Sequence, residues 1–324
     1  MIEQKDITFL VQGPIKMLKS WNLTLECLQS VRTYFPNSQL IFSTDYESDM
    51  QNFDVDQIVY SKPKISALIE NDFTGHKMSV NYQISSTKAG LNKVTTPYTV
   101  KLRSDMVFRN SKLINVLSET PYRPKTQFTL TDSFVVILDW STVDPRRFLK
   151  FPHHPSDHFF AGKTQDIKEI WDAPEMSHKL MRWFEAHNFP ENVRHGYNLP
   201  LYRAESWIWY NYIKNIIENK FDNSYATSDK IIAESLNLMC CNLMITSSDL
   251  VGVYEKSLVK RDWKTNVKML TYYDWVQVAK NNGIDVKHSK LNFRSIKTIF
   301  LRNVIEKMKL EPMLYRKLDV NKSK

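Results

Sequence analysis

The clearest pattern along the chain is a series of short, continuously apolar, β-branched runs. Turn residues break them, and stretches with helical period separate them. Ile7-Thr-Phe-Leu-Val11 is the first run, stopped by Gln12-Gly13-Pro14. Apolar residues at consecutive positions fit a parallel strand covered on both faces. Thr24 to Tyr34 follows with Leu25, Leu28 and Val31 at helical spacing, and Pro36-Asn37 ends it. Gln39 to Thr44 is a second strand, closed by Asp45. Strand, helix and strand within about forty residues predict a βαβ unit with a right-handed crossover.

The alternation continues. Gln57–Tyr60 reads as a third strand, 64–79 as loop, and Val80–Leu91 as a helix ending near Gly90. Tyr98-Thr-Val-Lys-Leu-Arg103 is a strand running straight into Ser104-Asp105. A short helix is expected at Ser111–Leu117, with strands at Phe128–Thr131 and Phe134–Leu138, partly antiparallel. From Asp144 to Pro200 turn residues and histidines dominate, with helices at Asp166–Trp171 and Ser177–Ala186. Helices at Glu205–Ile217 and Ser228–Asn237 lead to a strand at Leu243–Thr246. There is no internal repeat and no low-complexity linker. The pattern predicts an α/β fold, a mixed, mostly parallel sheet flanked by helices, over residues 1–285. A nucleotide-binding half (about 1–110) and an acceptor-side half (about 111–285) are expected within it.

Composition narrows the classes. A chain of 324 residues with 42% hydrophobic and 24% charged residues can bury a sizeable core. With only 7 glycines it carries neither a Walker-type nor a dinucleotide-type phosphate loop. Cys27, Cys240 and Cys241 lack metal-ligand spacing and read as reduced core thiols. No signal peptide opens the chain, and no apolar run reaches the roughly 18 residues that span a bilayer. The expected location is cytoplasmic.

Charge separates the last segment from the rest. Residues 286–324 hold eleven Lys or Arg against three acids, so nearly all of the net +9 is C-terminal. From Phe293 to Met308, Phe293, Ile296, Phe300, Val304 and Met308 recur every three or four residues, with Arg294, Lys297, Arg302, Lys307 and Lys309 between them. This is a basic amphipathic helix, and the tail around 290–318 is expected to lie on an anionic membrane surface. A solvated tail and nucleic-acid binding are the competing readings, and no nucleic-acid partner is expected.

Three strand ends converge on one edge of the predicted sheet: Gln12-Gly13, Asp45 and Arg103-Ser104-Asp105. In open α/β sheets ligands sit beyond the carboxyl ends of the strands. Gly13 allows close backbone approach, Asp45 suits a base or ribose, and Asp105 suits a divalent cation carrying a diphosphate. The plainer alternative makes Gly13-Pro14 a turn and the two acids caps. Asn81 and Gln83 are candidates for donor or structural hydrogen bonds, with the structural role favoured. A second cluster is Phe151-Pro-His-His-Pro-Ser-Asp-His-Phe-Phe-Ala-Gly162, where Asp157 could be a metal ligand, an acceptor-binding carboxylate or a general base. The prolines argue against a helical His154/His158 zinc pair. Third, Glu205 opens an aromatic-rich helix, either as a general base or as an ordinary helix-start acid.

Several of these stretches carry a resemblance. Ile7-Thr-Phe-Leu-Val-Gln-Gly-Pro-Ile15, Cys27-Leu-Gln-Ser-Val-Arg-Thr-Tyr-Phe-Pro36, Leu40-Ile-Phe-Ser-Thr44, Asn81-Tyr-Gln-Ile-Ser-Ser-Thr87 with Gly90-Leu91, and Lys101-Leu-Arg-Ser-Asp105 resemble the WavE family of lipopolysaccharide-synthesis proteins. Weaker echoes continue at Ser156–Gly162 and Ala204-Glu205. The resemblance covers roughly residues 5–250. It implies a GT-A-like fold and a bacterial glycosyltransferase that uses a nucleotide sugar, a UDP-sugar first among them. A glycan or lipid-linked glycan would be the acceptor, at the inner face of the cytoplasmic membrane. It also implies a catalytic Mn²⁺ or Mg²⁺ at Asp105. GT-A enzymes usually offer Asp-X-Asp, whereas Arg103-Ser104-Asp105 offers one acid. Either a later side chain completes the metal site, or Arg103 replaces part of the metal's charge. Glu205 is the first choice for the base and Asp157 the second. A nucleotidyltransferase and a non-enzymatic adaptor led by the basic tail are the alternatives.

Overall fold

The computed structural model describes residues 2–45, 53–65, 79–147, 150–188, 200–255, 267–286 and 293–308. Strand β1 (Ile7–Gln12) leads through a small hairpin, β2 (Met17–Leu18) and β3 (Trp21–Asn22), into helix α1 (Leu23–Tyr34). Asn22 caps that helix by accepting from the Leu25 amide at 3.0 Å. Then come β4 (Gln39–Thr44), β5 (Gln57–Tyr60), α2 (Val80–Leu91), β6 (Tyr98–Arg103), β7 (Met106–Phe108) and α3 (Leu113–Ser118). The second half runs β8 (Val135–Leu138), β9 (Phe159–Lys163), α4 (Thr164–Ile170), α5 (His178–Met181), α6 (Ala204–Ile213), α7 (Asp229–Asn242) and β10 (Leu243–Thr246). It closes with α8 (Ser248–Val251), β11 (Val253–Glu255), α9 (Tyr272–Asn281) and α10 (Phe293–Lys307).

Seven strands form the central sheet in the order β5-β4-β1-β6-β9-β8-β10. Only β9 runs antiparallel to its neighbours, so the sheet is mixed and mostly parallel, as the pattern of apolar runs predicts. Because β1, β4 and β6 are covered on both faces, every one of their residues except Gln39, Tyr98 and Arg103 is buried. One face packs Phe9, Val11, Phe42, Val100 and Leu102 against Cys27, Leu28 and Val31 of α1. The other packs Leu10, Ile41, Ile137 and Phe160 against α2, α4, α6, α7 and α9. All three cysteines are buried free thiols.

Two expected features differ. Phe128–Thr131 is not a strand. The amides of Leu130 and Thr131 donate to the side chain of Asn242, at 2.7 and 3.0 Å, instead of to a ladder. Conversely, the end of the histidine-rich segment is a central strand, β9, paired with both β6 and β8. Gly162 stands where a Cβ would lie 3.3 Å from the Val135 backbone, so the residue reflects a close strand approach, not a loop. Helix α6 is shorter than expected and α7 longer. Most of 64–79 lies outside the described residues.

Beyond residue 285, α10 is anchored to the body by a side chain that the helical pattern assigns to its polar surface. Arg302 is buried and donates to both Asp274 oxygens at 2.9 and 2.8 Å. It also donates to the carbonyls of Val267 at 3.0 Å and Met269. Thr298 and Ile305 are buried beside it, while Phe300 and Met308 stay 66% and 62% exposed. The apolar stripe is therefore partly on the outside, and the helix is held from its other face.

Candidate functional site

The carboxyl ends of β1, β4 and β6 lie at one edge, and the antiparallel start of β9 brings residues 154–158 to the same place. Arg103 donates its amide to the His158 carbonyl at 3.1 Å, where β6 ends and β9 begins. At this edge Asp105 is fully buried. Arg103 Nε donates to Oδ1 at 3.1 Å and its Nη2 to Oδ2 at 2.8 Å. Lys16 Nζ, from the loop after β1, donates to Oδ2 at 2.6 Å. The side chains of both cations are partly exposed beside the buried carboxylate, at 29% for Lys16 and 25% for Arg103.

The turn beneath them is tightly tied. Gly13 has φ +130°, and a Cβ there would meet Ser104 Oγ at 3.0 Å; only glycine takes this backbone comfortably. Its amide donates to the Ser43 carbonyl at 3.0 Å. Ser104 Oγ donates to the Pro14 carbonyl at 2.7 Å, and the Lys16 amide to Thr24 Oγ1 at 2.9 Å. Gln12 turns away from the edge and donates to Ser86 Oγ at 2.8 Å. Thus Gly13, Ser104 and Gln12 shape the turn, while Asp45 stands partly exposed at the end of β4.

Asn81 is structural. Its Nδ2 donates to the carbonyls of Ile65 and Met176 at 2.9 and 3.0 Å, and its Oδ1 accepts from the Met176 amide at 2.7 Å.

Asp157 and Glu205, far apart in sequence, line one narrow cleft with Ser156, Phe160 and Trp209. Asp157 Oδ1 and Trp209 Nε1 are buried without a hydrogen-bond partner, although His158 Nε2 stands 3.4 Å from that Asp157 oxygen. Burial alone would push the Asp157 carboxyl up. Positive charge on His158, Lys101 and Arg103 outweighs it and holds the group below the usual carboxylate range. Burial brings Lys101 down to about 7, where it donates to the Asp157 carbonyl at 2.5 Å and covers the Trp171 ring. His154 Nε2 lies 3.5 Å from Glu205 Oε2; burial keeps that imidazole below its usual value, against the pull of the Glu205 carboxylate. Arg103 Nη1, 3.0 Å from His158 Nε2, joins the cation cluster to this cleft.

Lys16 and Lys101 are the site residues that sequence reasoning did not name, while His158 was considered only as half of a zinc pair. Lys101 had a signal, a charge inside an otherwise apolar strand. Lys16 had none, because only the fold brings it to Asp105.

A model of the WavE lipopolysaccharide synthesis family matches residues 7–310. The chain belongs to the WavE family. The match to this WavE chain runs past residue 285 into α10, further than the resemblance read from the sequence. No curated protein sequence matches. Among solved structures, the chain is similar to the crystal structure of 4-diphosphocytidyl-2C-methyl-D-erythritolsynthase from Anaerococcus prevotii DSM 20548, at 11% identity and a TM-score of 0.34. That alignment covers 72% of this chain and 97% of the other.

The residues around Asp105 do not fit a divalent cation in this arrangement. A metal sharing that carboxylate would stand within about 4 Å of two cations, a repulsion of about 8 kcal/mol from each at an effective dielectric near 20. Among the described residues, no group of three His, Cys, Asp or Glu could hold a metal ion.

Proposed function

We propose that this WavE-family chain is a glycosyltransferase. It would move a sugar from a nucleotide sugar, a UDP-sugar first among candidates, onto a lipopolysaccharide or capsular glycan acceptor. The observation that carries this reading is that two carboxylates distant in sequence, Asp157 and Glu205, share one cleft beside a cationic strand edge. An anionic donor suits the Lys16–Arg103 edge, with Asp45 in reach of its nucleoside. A hydroxylated acceptor would be met by the Asp157 and Glu205 carboxylates, which can both accept a hydrogen bond from it.

In an inverting transfer a carboxylate takes the proton of the acceptor hydroxyl as that oxygen bonds to the anomeric carbon. The carbon–oxygen bond to the diphosphate breaks, and the pair of electrons leaves with the diphosphate. Glu205 is the assigned base. It lines the cleft, its neighbour His154 is kept short of protons by burial, and no Lys or Arg among the described residues is ion-paired with the carboxylate. Asp157, surrounded by cations, is the weaker base and orients the acceptor. Release of negative charge next to fixed cations is electrostatic stabilisation of the developing leaving group.

The acceptor class carries a second part of the proposal, attachment to the cytoplasmic face of an anionic membrane through the basic segment 290–318. Exposed Phe300 and Met308, with Lys297 and Lys307 also exposed, support it; 290–292 and 309–318 lie outside the described residues. No helix among the described residues is long and apolar enough to cross a membrane.

Calorimetric titration of UDP-, GDP- and CMP-sugars onto the full chain tests the donor assignment. Saturable binding of one nucleotide class is expected, and no binding of any would remove the transferase reading. Flotation with phosphatidylglycerol vesicles tests the tail, where Phe300→Asp should weaken binding and an unchanged partition would refute the contact.

A further inference from the structure

Resting on the membrane-surface part of the proposed function, we infer that the β2–β3 ribbon is a second membrane contact. It is a short apolar wedge that enters the interface of a lipid bilayer beside the carboxyl edge of the sheet.

Four observations lead there. First, Met17, Leu18 and Trp21 are 57%, 48% and 58% exposed. Single exposed apolar side chains need no explanation, but three within residues 17–21 form a patch. Second, the tip is apolar on both faces. The register pairs Met17 with Asn22 and Leu18 with Trp21. Directly opposed residues share a face and successive residues alternate, so Leu18 and Trp21 stand on one face and Met17 on the other. A flat protein partner would cover one face, whereas a bilayer interface surrounds the tip and covers both.

Third, the patch is small. A stable protein interface takes about 800 Å² from each partner. Three half-exposed side chains of at most about 250 Å² each offer less than half of that. Trp is also a residue that membrane interfaces favour, with an apolar ring and a polar N–H. Here that N–H is satisfied, since Trp21 Nε1 donates to Glu26 Oε2 at 2.9 Å.

Fourth, the base of the ribbon is fixed. The Leu23 amide donates to the Lys16 carbonyl at 2.9 Å, and the Lys16 amide to Thr24 Oγ1 at 2.9 Å. Lys19, in the left-handed region at φ +56°, turns the chain together with Ser20. Lys16, which leads into the ribbon, also reaches Asp105 at 2.6 Å. The tip is three residues further on, about 10 Å at 3.3 Å per residue, so an acceptor anchored in the same bilayer would meet the sheet edge close to its surface. Charge contributes little to this contact. Lys16 is committed to Asp105, and Glu26 offsets Lys19. The wedge is apolar, unlike the basic segment 290–318.

The experiment places a nitrobenzoxadiazole label on Leu18→Cys in the full chain; Cys27, Cys240 and Cys241 are buried. Vesicles of phosphatidylcholine, with and without phosphatidylglycerol, are then added. The expected result is a blue-shifted, brighter emission on vesicles and quenching by brominated acyl chains. In flotation, Leu18→Ser combined with Trp21→Ser should lower the partition coefficient at least about fivefold. That difference should persist in about 1 M salt, where the Debye length is about 3 Å and attraction of the basic segment is screened. Circular dichroism of the double variant should match the wild type, because both positions are exposed.

A label that stays in water while the protein floats with vesicles overturns the wedge and leaves the contact of segment 290–318 standing. A spectral change that grows with protein concentration in the absence of lipid also overturns it, by making the ribbon an interface between copies of the chain. Absence of flotation on every vesicle overturns the wedge and the membrane part of the proposed function together, and leaves the donor assignment to its own titration.

Discussion

Replacing Arg302 with Met should destabilise the whole protein, although the residue lies in a segment whose sequence reads as a surface tail. The guanidinium makes two hydrogen bonds to the Asp274 carboxylate and two more to the carbonyls of Val267 and Met269. Met fills the volume but leaves Asp274 buried with, among the described residues, the Thr271 hydroxyl at 2.6 Å, the Thr271 amide at 2.8 Å, and Arg146 at 3.8 Å. Removing one member of a buried pair costs about 3–5 kcal/mol. The remaining Thr271 bonds place this case near the lower end, at about 3 kcal/mol. With a urea slope of about 3 kcal/mol/M, the midpoint should fall by about 1 M. The sign with pH is also fixed. Burial alone would raise the Asp274 carboxyl, but Arg302 and Thr271 hold it below its ordinary 3.8. The pair's stabilisation is then complete above the unfolded value and is lost as pH falls through the lower folded one. The gap between wild type and Arg302→Met should therefore narrow only in acid. Equilibrium urea unfolding at pH 7 and pH 3 measures both. A midpoint shift under about 0.2 M at pH 7 would refute the docking of α10 and return it to a free tail.

The remaining predictions concern the site and its supports. Glu205→Gln should lower kcat by about 10²–10⁴-fold with donor binding intact, and Asp157→Asn should cost less; steady-state kinetics in which Asp157→Asn is the more damaging change would reverse the two roles. Gly13→Ala forces a φ of +130° on a residue with a Cβ placed 3.0 Å from Ser104 Oγ, so thermal unfolding should register a loss of about 1–3 kcal/mol. Lys101, at about 7 when folded and 10.5 when free, binds more protons in the unfolded chain across that interval. Stability should therefore climb from pH 7 towards pH 10 in the wild type and lose that component in Lys101→Met; equal slopes for the two proteins would show that Lys101 is not buried as described.

The first sheet was legible because its strands are continuous apolar runs whose neighbours in sequence are also neighbours in space. Ile7–Val11, Gln39–Thr44 and Gln57–Tyr60 announce themselves, and a βαβ connection leaves little freedom in how they associate. Gly90 was read as a helix end, yet it is needed because α2 presses on β1, where a Cβ would lie 2.3 Å from Leu10. The centre of the sheet was harder. Strand β9 follows a run of His and Pro that looks like loop, and its pairing with β6 depends on residues about sixty positions away. The site divides in the same manner. Asp105, Asp157 and Glu205 were visible as carboxylates at element ends. That the first is locked by Lys16 and Arg103, and that the other two share a cleft, are consequences of tertiary packing that no local spacing encodes. Arg302 illustrates the limit most sharply, since helical periodicity cannot separate a basic surface from a buried cation with a distant carboxylate.

The central claim is transfer of a sugar with departure of a nucleoside diphosphate. Phosphorus NMR of the full chain, incubated with UDP- and GDP-sugars and a detergent-solubilised lipopolysaccharide acceptor, tests it most directly. The account predicts that one sugar nucleotide's signals give way to those of UDP or GDP, that the acceptor gains the sugar, and that Glu205→Gln abolishes both. Pyrophosphate formed from a nucleoside triphosphate and a sugar 1-phosphate, with no transfer from any sugar nucleotide, would contradict it.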